Sequence, residues 1–377
     1  MQVNPRTTLT AMELSIQNSP PAVGGLALAN FGMAIMIYTI SERQFHYKSD
    51  AILGFVYAFI TLGVFMVLIY LTRCIVNPAS YFINDFASPA KISSVTTFAM
   101  AVCLMGKAIH INEFNLPLSM CASIVYIGAV IQLIGMIAFL RACWKSSTWA
   151  EPYWNNAVHS CLFTAVCLPG DDRAAVVSRT VSILIGFIFL IPNMSIMIAR
   201  ILMPRTRSKD VVANNPNVAM LQSAFSITCS GWLIAPFTGN AAHGIGGMVG
   251  HTLFALSTFG FICTVAGVIQ RRTVLLNFGD DPMWVAITFP FANTALAAGL
   301  YLKTHPTYSY VLFVWVLILS AIAAVCIISV NIMFFKNRLY LFHDKVPPPS
   351  AATQESEGNR KFPTLHTDSA DSTLEII

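Results

Sequence analysis

Ten apolar stretches recur along this chain, at 20–40, 51–73, 91–109, 117–140, 154–170, 178–199, 216–236, 248–270, 283–302 and 308–335. Each is near the roughly 17–25 residues with which a helix crosses a hydrocarbon core of about 30 Å. All 17 acidic residues fall between or beyond them. Only 10% of the residues are charged and 56% are hydrophobic, whereas a soluble domain carries about 25% charged residues. A soluble fold is thereby excluded. In lipid every backbone N–H and C=O must be satisfied within the segment, which makes stretches of this length helices. The connections are mostly short, so sequence neighbours should pair as antiparallel hairpins. The expected fold is all-α, a polytopic membrane protein of ten transmembrane helices in five helical hairpins.

Residues 1–19 contain Asn, Arg, Thr, Glu and Gln but no apolar run of the kind a secretory signal needs. The first stretch is therefore expected to remain as a helix. After residue 336 the composition shifts to Pro347-Pro348-Pro349 followed by Ser, Thr, Glu, Gly and Asp. The expected organisation is a cytoplasmic N-terminal segment at 1–19, a membrane domain at 20–335 and a disordered cytoplasmic tail at 336–377. Lysine and arginine set the orientation: with the N-terminus inside, sixteen fall on the cytoplasmic side and six on the other. Both termini are expected in the cytoplasm of a protein of the cell membrane. Most of the nine cysteines sit in apolar stretches and none forms a C-x-x-C pair, so they read as small core residues.

The missing carboxylates carry the chemistry. Ion-coupled pumps and cation pathways place an acidic side chain within the membrane, and these stretches have none. A neutral conduit does not repel an anion, and hydroxyl or amide donors replace part of its hydration. The sequence also lacks H-E-x-x-H, G-x-S-x-G and Walker loops, so nothing points to an enzyme, a metal or another cofactor. The basic residues sit at loops and tail, as topology signals do, so nucleic acid is not an expected partner. His159 and His251 are the histidines within the stretches; each is either hydrogen-bonded inside the bundle or a proton relay.

The ninth stretch holds Thr288-Phe289-Pro290. Proline lacks an amide hydrogen and crowds the carbonyl one turn back, so a kink is expected there, facing protein or water rather than lipid. Phe289 beside it is either packing filler or the closure of a pore. Gly24, Gly25 and Gly32 of the first stretch leave room either for another helix or for a solute. Ser93 and Thr97 of the third stretch and Ser226 of the seventh are candidate lining hydroxyls, the alternative being bonds back to their own backbone. Polarity alone does not select the lining helices: Ser, Thr, Asn, Gln and His number 20 in the odd stretches and 20 in the even ones.

Several of these features together resemble a known family. Trp284 with Thr288-Phe289-Pro290, the glycine-rich run after Pro20-Pro21, Ser88-Pro89 and Pro152-Tyr153-Trp154 are similar to positions in the tellurite-resistance, C4-dicarboxylate transporter and slow-type anion channel family. The resemblance spans about residues 20–335. It implies a homotrimer in which each protomer has a central pore lined by the odd helices and plugged by a phenylalanine of the ninth. By position that plug is Phe289, with Pro290 fixing its helix and Thr288, Ser93, Thr97, Ser226, His159, Gly24 and Gly25 as lining candidates. Gly24-Gly25-Leu26 departs from the family's aromatic–glycine spacing, and the fifth stretch is richer in Asn and His. The expected activity is passage of small anions such as chloride, nitrate or malate through a phenylalanine-gated pore. The alternatives are a secondary carrier of malate-like dicarboxylates, sulfite or tellurite, proton-coupled through His159, and a receptor signalling through the tail.

Overall fold

The computed structural model describes residues 23–45, 49–76, 78–80, 86, 88–111, 114, 116–146, 157–202, 219–235, 244–270, 285–305 and 309–337. The N-terminal segment 1–19, Pro20-Pro21, Pro152-Tyr153-Trp154, Trp284 and the tail from 338 lie outside these residues. Besides a single turn at Pro78–Ser80, ten helices are described: α1 Val23–Phe45, α2 Asp50–Val76, α3 Pro89–Ile111, α4 Leu118–Ser146, α5 Cys161–Cys167, α6 Arg173–Leu202, α7 Ala219–Leu233, α8 Gly244–Gln270, α9 Val285–Thr304 and α10 Ser309–Asn337. Each apolar stretch of the sequence holds one of them.

Seven helices are long and apolar enough to cross a membrane: α1, α2, α3, α4, α6, α8 and α10. Among the described residues the other three, α5, α7 and α9, fall short of that length or apolarity. The fifth stretch, expected at 154–170, yields a helix of only 7 residues. It stops where Leu168 turns extended, and Pro169 and Gly170 follow. Gly170 has a φ of 89°, a conformation that favours glycine. Asp172 then caps α6, its Oδ1 accepting the Ala175 N–H at 2.8 Å. Arg179 bolts the turn by donating to the Gly170 carbonyl and to Asp171, at 2.7 and 2.8 Å. α7 has 15 residues, or about 22 Å of helix. α9 has 20 but is interrupted by Thr, Pro and Asn.

Packing explains why α9 tolerates that polarity. α1 touches α3, α3 touches α5, α5 touches α7, α7 touches α9, and α9 returns to α1, so the odd helices form a closed inner ring. Each even helix packs on the odd helix before it and on the odd helix after it, with α10 closing the cycle on α1. Burial follows the same division: 89% of the span of α1 and 78% of that of α3 are buried, against 22–39% for α2, α4, α6, α8 and α10. The even helices turn side chains such as Phe55, Ile127, Ile188, Phe259 and Val325 outward, each more than half exposed. A helix enclosed by its neighbours meets little lipid and is free to carry polar groups. All but five of the buried polar side chains described lie on or beside odd helices, the exceptions being Arg73, Gln132, Asn193, Ser257 and Asn331.

Glycines set how closely the helices approach. A Cβ on Gly24 would fall 2.7 Å from the Cβ and 2.8 Å from the Cα of Phe98, so α1 and α3 meet nearly backbone to backbone.

Candidate functional site

Phe289 lies on the part of α9 that faces the centre of the inner ring and is 5% exposed. Its ring sits 5.2 Å from that of Phe163 on α5, tilted by 48°, within the range of a favourable aromatic pair. Across from it α1 presents Gly32, whose missing Cβ would stand 3.7 Å from the Phe289 ring. Two residues further along, a helix has turned by about 200°. Phe291 accordingly points the other way, edge-on to Phe261 of α8 at 5.2 Å. Of the two phenylalanines flanking Pro290, one is therefore central and the other packs outward.

A cavity of about 10 Å³ adjoins the Phe289 ring, lined by Met100, His159, Phe163, Ser223, Ala224, Ile227 and Phe289. It has room for about one water. These residues come from α3, the approach to α5, α5 itself, α7 and α9.

α9 runs through Pro290 as one helix, rather than breaking there. The groups around the proline are bound from α7: Gln222 donates to the Pro290 carbonyl at 3.2 Å and to the Thr294 hydroxyl at 2.6 Å. Thr294 also donates to that carbonyl at 2.9 Å. Ser226 joins Thr294 and Ser257 at 2.7 Å each, drawing α8 into the same network. Polar groups buried together in this way hold three helices in one register.

The sequence candidates are thus divided. Phe289 and His159 meet at the cavity. Thr288 is fully buried beside Phe289, and Gly25 is buried on α1. Thr97 donates to the Ser93 carbonyl at 2.8 Å, a bond within its own helix. Ser226 is committed to the α7–α8–α9 network, and Gly24 to packing on α3. His251 bonds the Tyr301 hydroxyl through Nδ1, and its ring lies 4.7 Å from that of His305. Sequence reasoning missed Phe163 and Met100, which look like any other apolar residues until the ring closes around them. All nine cysteines are free thiols.

Apolar outer faces around a ring of polar inner helices define a polytopic integral membrane protein. The sequence profile of the voltage-dependent anion channel family matches residues 14–334, and the chain belongs to that family. It is therefore an anion channel or transporter, not an enzyme by family. A comparison with curated proteins finds no match.

Proposed function

We propose that the chain passes small anions, such as chloride, nitrate or malate, through a conduit enclosed by α1, α3, α5, α7 and α9, with Phe289 as its gate. In this reading all ten apolar stretches cross the cell membrane as five hairpins, both termini are cytoplasmic, and the protein is a homotrimer with one conduit per protomer. The observation that carries the reading is the Phe289 ring itself, buried at the centre of the inner ring between Phe163 and the bare face of Gly32. A phenyl group so placed closes the axis in one rotamer and clears it in another. Pro290 and the Gln222–Thr294 bonds fix the height of the ring, and Thr288 and His159 stay among the lining groups. With no carboxylate in the spanning stretches the conduit does not repel an anion, and its neutral lining groups hold one weakly enough to release it.

Liposomes carrying the purified Phe289→Ala protein should release chloride, nitrate or malate faster than those with the wild type. A variant that inserts normally but is silent towards all three contradicts the reading. The burial of His159 beside the gate favours one further reading, a proton-coupled carrier of dicarboxylates, sulfite or tellurite. A change in luminal pH that accompanies flux and disappears in His159→Gln selects the carrier; flux without it selects the channel.

A further inference from the structure

On the outer surface, where the start of α3 lies beside the end of α4, a groove of about 680 Å³ opens between the two helices. Its wall includes Phe86 and Ile92 on one side and Ile134 and Ile137 on the other, and Arg141 and Lys145 line it farther along α4. Ile134, Ile137, Arg141 and Lys145 are spaced three or four residues apart, so they form one stripe that changes from apolar to cationic. From Ile134 to Lys145 the helix rises about 16 Å, close to the half-thickness of a hydrocarbon core of about 30 Å.

Ile134 and Ile137 are 56% and 58% exposed. Arg141 and Lys145 are exposed as well, and neither takes part in an ion pair or hydrogen bond among the described residues. No acidic side chain lines the groove. Trp144, on the neighbouring face of α4, is 89% exposed, as an aromatic side chain at the membrane surface would be. The site asks for an occupant with a long apolar part and an anionic end, seated at the depth where lipid headgroups begin.

We infer that this groove binds an anionic glycerophospholipid, with its acyl chain along Ile92, Ile134 and Ile137 and its phosphate on Arg141 and Lys145. The inference is independent of what passes through the centre of the ring.

The test is native mass spectrometry of the full-length protein, released from micelles containing phosphatidylglycerol and phosphatidylcholine of identical acyl chains. The wild type should retain phosphatidylglycerol over phosphatidylcholine by roughly tenfold. Arg141→Gln/Lys145→Gln should bring the two to parity, whereas Lys336→Gln, which removes an exposed cation from the end of α10, should keep the preference. Ile134→Trp, which fills the groove and leaves both charges in place, should lower retention of either lipid. Equal retention by the wild type would overturn the proposal, as would an equal loss in Lys336→Gln, which would mark a general effect of surface charge. A double variant that changes oligomeric mass but keeps the lipid preference would overturn it too, making the groove a contact between protomers.

Discussion

Asn30 of α1 and Asn331 of α10 stand 301 positions apart in the chain and exchange carboxamide hydrogen bonds, Asn30 donating at 3.2 Å and Asn331 at 2.9 Å. Each amide also donates to the carbonyl one turn back in its own helix, Leu26 and Ile327 respectively. Both are buried. The pair ties the last helix onto the first and so fastens the cycle in which every even helix bridges two odd ones.

Replacing either asparagine by alanine leaves the other amide short of a partner in an apolar setting. Each single change should cost about 1 kcal/mol, and Asn30→Ala/Asn331→Ala should cost less than the sum of the two. Denaturation of the four proteins in mild detergent provides the cycle; strict additivity would show that the pair is not coupled.

The network around Pro290 should set how firmly Phe289 is held. Gln222→Ala removes two donors from α9 and should favour the open arrangement by about 1–2 kcal/mol, a roughly five- to thirtyfold rise in open fraction. Thr294→Val should act in the same direction. The measurement is steady-state anion leak at matched protein density, and a leak unchanged in both variants would separate the network from the gate.

Two glycines make opposite predictions. Gly24→Ala forces a methyl group into the backbone of α3 and should destabilise the bundle by about 1–3 kcal/mol. Gly54 of α2 has nothing within 4 Å of the position its Cβ would take, so Gly54→Ala should be neutral or stabilising by up to about 1 kcal/mol. Thermal melts of the two variants in the same detergent compare them directly.

Much of this architecture is legible in the chain, because hydrocarbon imposes length and apolarity on whatever faces it. The ten stretches each contain a helix, and the helices adjoin as hairpins in sequence order. The inner ring could not be read from composition. Some polar residues on even helices bond to their own backbone at the surface, as Ser123 does at Ser119 and Thr252 at Met248. Others, such as Gln222 of α7 and Thr294 of α9, bind across helices in the interior. A count treats the two alike, and only the side of the helix on which a residue falls separates them. Phe163 was hidden for the same reason. The C-terminal end of α5 was visible in principle in Pro169-Gly170, whereas the bend at His159-Ser160 that delays its start to Cys161 had no such signal.

On the proposed function, the size of the side chain at 289 limits conduction. Planar-bilayer currents carried by chloride through Phe289→Ala, Phe289→Leu and Phe289→Trp, at equal incorporation, test it most directly. Current should rise in the order Trp, Phe, Leu, Ala. An alanine variant that inserts and folds like the wild type yet carries no more chloride would contradict it.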